Sequence, residues 1–199
     1  MFRIFTSHKS PKNDWEAIEP ILRTEKVLRE KGEITPARRA GVIYRVNEAN
    51  AFIDNLPNEI DSILYDGSGS TKTSYQLKDD SVGMKWIVLE DGNFQDLVSS
   101  VYTVGNSISS NGGKNNLIAA VFEFYFSGEI NEKTKKLGLR TYCIYRYDRR
   151  AFYPFVPTGD KEGDRDRASE SVLANDMRKS GLNIETALTE WMGLWGIPF

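Results

Sequence analysis

The last fifty residues constrain the fold of this chain most, because they combine aromatic side chains with proline and glycine. One run reads Phe152-Tyr153-Pro154-Phe155-Val156-Pro157-Thr158-Gly159, and the sequence finishes with Trp191-Met192-Gly193-Leu194-Trp195-Gly196-Ile197-Pro198-Phe199. Proline fixes φ and glycine adopts angles that other residues avoid, so this density restricts the path of the backbone. Chain ends usually fray, but a tail this rich in large aromatic residues is expected to dock against the protein.

Composition indicates a soluble protein with a single sizeable core. The chain has 199 residues, of which 40% are hydrophobic and 12% aromatic. The net charge of -2 argues against a dedicated nucleic-acid binder, which carries a basic excess. No apolar run approaches the roughly 18 residues that span a bilayer, and the N-terminal apolar stretch is short for a signal peptide. We expect a cytoplasmic protein with a flexible polar arm over residues 1–13 and one domain over residues 14–199.

Hydrophobic patterning predicts strands that mostly form hairpins. Strands are predicted over residues 40–46, 71–77, 82–89, 117–126, 137–147 and 151–156. The second and third are joined by a turn, and the fourth and fifth by a charged loop over 128–136. Strands and helices do not alternate strictly, so the pattern favours an α+β domain with a mainly antiparallel sheet of about five to six strands flanked by helices.

Apolar residues at helical spacing predict five helical segments. The first, over residues 14–31, has Asp14 as its cap and is interrupted by Pro20; the second, over 49–64, has Asn47 as its cap and is split by Pro57. Two more are predicted over 93–108 and 167–179. A last helix is predicted to carry Ile184, Ala187, Leu188, Trp191, Met192 and Trp195 on one face.

Residues that commonly bind metals or phosphates are sparse. The one histidine, His8, lies in the polar arm, and the one cysteine, Cys143, lies in a strand-like run that favours a buried structural thiol. The run Gly67-Ser68-Gly69-Ser70-Thr71-Lys72 lacks phosphate-loop spacing and precedes a strand where a helix is required. The sequence therefore predicts no metal and no cofactor.

The charged loop over residues 158–167 admits two interpretations. Its carboxylates alternate with basic residues, and paired carboxylates serve in acid–base chemistry or bind magnesium. A solvated loop with its own weak ion pairs is the favoured interpretation. Within it, Arg165 and Asp166 are expected to hold the loop against the sheet.

The aromatic segment and its neighbouring arginines also admit two interpretations, core and interface. Core is favoured for most of the aromatic residues, because they are large hydrophobic anchors. Interfaces, however, concentrate binding energy in Trp, Tyr and Arg. The hypothetical partner-binding set is Arg149, Arg150, Phe152, Tyr153, Phe155, Arg165 and Asp166.

Several spaced motifs together resemble a known family. They are Asp80-x-x-Gly83-x-x-Trp86-x-Val88, Asp96-Leu97-Val98, Phe152-Tyr153-Pro154-Phe155-x-Pro157-x-Gly159, Arg165-Asp166, Glu170 and Trp191-x-x-Leu194-Trp195-Gly196-x-Pro198. In this set, which lies between residues 75 and 199, the chain is similar to the PspA-associated proteins called PspAB. The resemblance implies a small cytosolic accessory protein of the envelope-stress response, encoded beside the membrane-stress protein PspA. The order of elements is also similar to that of secretion-chaperone-like α+β domains, an analogy of fold only.

The resemblance leads to a non-catalytic interaction protein as the first hypothesis. Its partner, implied by the resemblance, is a PspA-like coiled-coil protein, which would place the complex near the cytoplasmic face of the membrane. Two alternatives remain open. One is an enzyme or binding protein for a phosphate-bearing ligand, using the 158–167 loop and its arginines; the other is a chaperone-like homodimer that holds client peptides.

Overall fold

The structure is a computed structural model that describes residues 11–46, 50–65, 73–80, 83–126 and 139–199. Most of the predicted arm, the cap at Asn47, the glycine-serine turn over 67–70 and the loop over 128–136 lie outside the described residues. The division into an arm over 1–13 and one domain over 14–199 stays a prediction.

Six strands form a single sheet in the order β2-β3-β1-β4-β5-β6. The strands are β1 Ile34–Tyr44, β2 Ser74–Asp79, β3 Lys85–Glu90, β4 Leu117–Phe126, β5 Leu139–Arg146 and β6 Ala151–Phe155. Each strand is antiparallel to its neighbours. The predicted α+β class with a mainly antiparallel sheet is confirmed.

The helices are α1 Asp14–Ile18, α2 Pro20–Glu30, α3 Ala51–Leu64, α4 Phe94–Ile108 and α5 Arg167–Lys179. Pro20 starts α2, where its missing N–H removes no helical hydrogen bond, so the predicted interruption is confirmed. The predicted cap of α1 is wrong by one residue. Asn13 is the N-cap, and its side-chain oxygen accepts a hydrogen bond from the Glu16 N–H at 2.8 Å.

Pro57 does not split α3, contrary to expectation. One helix runs through it, begins after Asn50 and buries Ile53, Leu56, Ile60 and Leu64. An internal proline costs about 3 kcal/mol, whereas burial of each of these side chains contributes about 1.5–3 kcal/mol. The packing of the apolar face therefore outweighs the local penalty.

Successive side chains of a strand point to opposite faces of a sheet. On one face, which we call the helix face, Phe122 and Phe124 of β4 contact Phe94 of α4 edge to face. Helix α4 also packs across β1 and β3, and α5 packs beside β6. Burial of this face explains the apolar residues at every second position of β4, such as Phe122 and Phe124.

The opposite face of the sheet is covered by residues 184–199, which we call the strap. A parallel bridge between Ile184 and Phe152 joins its first residue to β6. The last helix predicted from the sequence is wrong, because the strap contains only one helical turn, the 3-10 turn Leu188–Glu190. The reason is that its tryptophans dock at separate places: Trp191 stacks on Tyr153, and the Trp195 ring meets Phe155 edge to face.

The end of the strap docks at the centre of the sheet. Phe199 is buried and meets the rings of Trp86 and Tyr142 edge to face. Gly41 of β1 makes this approach feasible, because an added Cβ there would lie 2.8 Å from Cε1 of Phe199 and 2.9 Å from Cε3 of Trp86. The prediction that the aromatic tail is docked is confirmed.

Candidate functional site

Three of the predicted partner-binding residues lie inside the protein. Phe152 and Phe155 are fully buried in β6, and Tyr153 between them is 3% exposed. Phe152 contributes to the helix face and contacts Phe122 and Tyr145. The sequence offered these aromatic residues as a possible surface, whereas the structure places all three in the core, with Tyr153 and Phe155 beneath the strap and Phe152 beneath the helices.

Arg165 and Asp166 also have internal partners. Arg165 donates from Nε to Oε1 of Glu170 at 2.9 Å and from Nη1 to the Trp191 carbonyl at 2.9 Å, and it lies 4.9 Å from the centre of the Phe155 ring. Asp166 is the N-cap of α5, where its Oδ1 accepts from the Ser169 N–H at 3.1 Å. Arg165 therefore contacts both the sheet and the strap, whereas the side chain of Asp166 caps α5.

Arg149 and Arg150 lie in the turn between β5 and β6 and remain partly exposed. The side chain of Arg149 pairs with Glu190 of the strap at 2.8 Å. Arg150 pairs with Asp14 of α1 at 3.3 Å. The charges of these two members of the hypothetical partner-binding set are therefore paired within the chain, and both arginines connect the turn to other elements.

Two large apolar side chains project from the strap into solvent. Leu188 and Met192 are each 60% exposed, although the sequence predicted both for the same face of a helix as Trp191, which is buried. They flank Glu190, whose carboxylate pairs with Arg149. We call the set Leu188, Glu190, Met192 and Arg149 the Leu188–Met192 surface.

A cleft of about 630 Å³ lies next to this surface, at the end of the sheet where β1 and β5 finish and β3 and β4 begin. Strap residues 192–194 border it. Its floor consists of side chains that are almost fully buried, namely Ile43, Ala119, Ile144 and Tyr153. Met84, Ile118 and Leu194 are half-buried and form its apolar walls. This volume falls in the range of small-molecule sites, about 300–1,000 Å³.

Charged side chains surround the mouth of the cleft. Arg45 follows β1 and Lys114 precedes β4, and both are exposed. The Arg45 N–H donates to the Asn116 carbonyl at 3.0 Å, which brings Arg45 beside the chain that follows Lys114. Sequence reasoning missed both cations, because neither belongs to a motif and they are far apart in the chain.

The ion pairs at this end of the molecule shift the pKa values of two carboxyls. Hydrogen bonds from Arg146 and Arg149 hold the pKa of Glu190 below its ordinary value. Burial tends to raise the pKa of Asp148, but the fork formed by Arg146 outweighs it and the pKa is lowered. Both carboxylates therefore keep their charge, and their ion pairs, to lower pH than free carboxyls.

Buried tyrosines and the cysteine show the opposite effect. Burial raises the pKa of Tyr142 to about 12 despite the nearby Arg140, and burial raises the pKa of Tyr153 at the floor of the cleft. Burial also raises the pKa of the Cys143 thiol, which is fully enclosed, so the prediction of a buried thiol is confirmed.

Most of the motifs shared with the PspAB family help to pack the strap or to form the hairpin of β2 and β3. Asp80 accepts from the Met84 N–H at 2.8 Å and from the Trp86 indole N–H at 3.2 Å, while Gly83 supplies a φ of 85° in the turn. The Trp195 indole donates to the Asp164 carbonyl at 3.2 Å. The hydrogen bonds of Asp80 therefore shape the β2–β3 turn, and that of Trp195 joins the strap to the 158–167 loop.

Neither a metal cluster nor a membrane-spanning helix occurs in the part of the chain that the structure describes. Within it, no three His, Cys, Asp or Glu side chains are grouped to hold an ion. None of the helices between residues 11 and 199 that are described is long and apolar enough to cross a bilayer. His8 lies outside the described residues.

Fold and surface together define a class of small α+β protein: one antiparallel sheet with helices on one face, an irregular strap on the other, and an apolar cleft at one end. The chain belongs to the PspAB family, PspA associated protein B, whose model matches residues 3–199. No curated protein and no solved structure is significantly similar to it.

Proposed function

We propose that this protein is a non-catalytic accessory protein of the membrane-stress response that binds a PspA-like coiled-coil partner in the cytoplasm. Membership of the PspA-associated family supports a role linked to PspA. The observation that carries the choice of surface is the exposure of Leu188 and Met192, at 60% each, on a segment whose other large side chains are docked.

The Leu188–Met192 surface suits the seam of an amphipathic helix. Such helices bind by placing apolar side chains at regular spacing against exposed apolar groups, with charged residues alongside. Leu188 and Met192 would meet the apolar positions, while Arg149 and Glu190 present both signs of charge at the side. Met192 is flexible and polarisable, which suits it to such contacts.

The strap is held in place before any partner arrives. Arg165 binds the Trp191 carbonyl at 2.9 Å, and the Trp191 indole donates to the Glu185 carbonyl at 3.0 Å. Binding to a preordered segment loses less conformational entropy than binding to a loose one. This anchoring therefore favours a preformed interaction surface at Leu188 and Met192.

The engagement of Arg165 counts against the alternative in which the 158–167 loop binds a phosphate. Its guanidinium already forms two-point contact with Glu170, and its remaining nitrogen binds the Trp191 carbonyl. A phosphate would have to displace a buried ion pair, which is costly.

Partner capture tests the proposal. We expect the Leu188→Ser/Met192→Ser protein to bind the purified PspA-like protein of the same genome at least about tenfold more weakly than the unchanged chain, since central apolar anchors dominate interfaces. The matched control is Tyr125→Ser/Val172→Ser, which removes two other apolar side chains that are 38% and 39% exposed. Circular dichroism checks that both variants fold. Equal affinities for all three proteins would refute this surface.

A further inference from the structure

The cleft beside the Leu188–Met192 surface has a mostly apolar interior, in contrast to its charged mouth. Its floor and walls are mostly apolar, from Ile43, Ala119 and Ile144 at the bottom, beside the ring of Tyr153, to Met84 and Leu194 at the sides. An apolar chain placed there would be removed from water on several sides at once. A soluble polar ligand would instead lose hydrogen bonds to water that these side chains do not replace.

The charges at the mouth do not cancel. The two carboxylates that line the cleft already have partners: Asp148 pairs with Arg146 at 2.6 Å, and Asp14 accepts from the Tyr145 hydroxyl at 2.9 Å and pairs with Arg150 at 3.3 Å. Arg146 is engaged further by Glu190 at 2.8 Å.

The two remaining cations have no such partner among the described residues. Arg45 and Lys114 form no ion pair with any residue in the described stretches of the chain. The backbone contact between Arg45 and Asn116 keeps both at the same edge of the opening. As far as the described residues go, the mouth therefore presents two positive charges without an ion-pair partner above an apolar interior.

We propose that the cleft binds a fatty carboxylate, with its alkyl chain between the sheet floor and strap residues 192–194 and its head group at Arg45 and Lys114. Arginine binds a carboxylate through two parallel hydrogen bonds, and lysine adds a second charge. One chain suits a cleft of about 630 Å³. This activity does not depend on the partner binding proposed above.

Calorimetric titration of the full chain with octanoate, decanoate and dodecanoate, below their micelle concentrations, tests the idea. We expect saturable one-site binding whose affinity rises by up to about fourfold for each added methylene until the cleft is full. Decanol, which has the same chain as decanoate without the charge, should bind at least about tenfold more weakly. Absence of saturable binding would overturn the proposal.

Two variants separate the head-group site from the chain site. In Arg45→Ser/Lys114→Ser, decanoate should bind no more tightly than decanol, while Lys26→Ser/Arg178→Ser, which removes exposed cations from α2 and α5, should keep the difference. Met84→Trp, which fills one wall, should weaken both ligands. Retained decanoate affinity in the first variant or in Met84→Trp would refute the site.

Decyl phosphate identifies the head group that the mouth prefers. We expect decanoate to bind more tightly, because a guanidinium forms two hydrogen bonds with either head group, while the more highly charged phosphate loses more hydration on binding. Tighter binding of decyl phosphate would overturn the assignment of a carboxylate. Unfolding midpoints in urea, measured for every variant, distinguish a lost site from a lost fold.

Discussion

Arg165 and Glu170 form a two-point ion pair beneath the strap, with Nε 2.9 Å from Oε1 and Nη2 2.8 Å from Oε2. Their side chains are 6% and 0% exposed. Glu170 also accepts from the Val156 N–H at 3.0 Å, and Arg165 donates to the Trp191 carbonyl. This pair therefore joins α5, the end of β6 and the strap at one point.

Removing one member of that pair should destabilise the fold strongly. We expect Arg165→Met to lower the free energy of unfolding by about 3–5 kcal/mol, because it leaves the Glu170 carboxylate buried without its main partner. Arg167 offers a matched control, since it approaches the same carboxylate at 3.6 Å but is 55% exposed. Arg167→Met should cost at most about 1 kcal/mol. Equal effects in urea unfolding would contradict the central role of Arg165.

Gly41 should tolerate no side chain. Gly41→Ala would bring a Cβ within 2.8 Å of the Phe199 ring, and we expect a loss of about 1–3 kcal/mol as the strap shifts. Gly92→Ala is the control, because nothing lies within 4 Å of the added Cβ, and its effect should stay within about 0.5 kcal/mol. The midpoints of thermal unfolding compare the two variants. An unchanged midpoint for Gly41→Ala would mean that the strap can shift without loss of stability.

Alkaline pH should destabilise the protein through its buried phenols. Burial raises the pKa of Tyr142 from 10.0 to about 12, so the phenol favours the folded state below pH 10. That contribution, at most about 3 kcal/mol, is lost as pH rises through the pKa of the folded state. Absorbance at 295 nm should show exposed tyrosines ionising first and the buried ones only with unfolding. Tyr142→Phe should make stability fall less steeply between pH 10 and 12; an unchanged slope would argue against this origin.

Acid should weaken the link between the strap and the β5–β6 turn. Arg146 and Arg149 lower the pKa of Glu190 from 4.5. The stability that these ion pairs add is therefore fully present above pH 4.5, and it is lost as pH falls through the lowered pKa of the folded state. Carboxyl NMR titration should find Glu190 below 4.5, and Arg149→Ala should raise its pKa. A control, Arg178→Ala on α5, should leave it unchanged. A Glu190 pKa at its ordinary value would contradict the pairing.

Local patterns predicted the regular elements well. The strand over residues 117–126 and the helix over 167–179 agree with β4 and α5 to the residue. Continuous apolar sequence, helical spacing and a capping residue such as Asp166 act over a few neighbours, so they can be read without the fold. The prediction of a helix after Gly181 was wrong, because apolar residues at helical spacing also suit an irregular segment whose aromatic side chains dock separately.

The predicted interface was harder, because cores and interfaces use the same residue types. The aromatic residues of β6, the arginines of the turn before it and Arg165 after it were sensible candidates for either role. Only the position of the strap decided for the core, by covering Tyr153 with Trp191 and Phe155 with Trp195. The cations at the cleft gave no sequence signal.

The sequence by itself determined the class of fold, the family and the docking of an aromatic tail, since period, turn chemistry and motif spacing are local properties. The tertiary structure decided which side chains remain available to bind a ligand or a partner. Arg146 and Glu190, which are 44 positions apart, neutralise each other, whereas Arg45 and Lys114 border one opening and form no ion pair within the described stretches of the chain. Charge pairing and cavities depend on distances in space, which arise only when remote segments pack together.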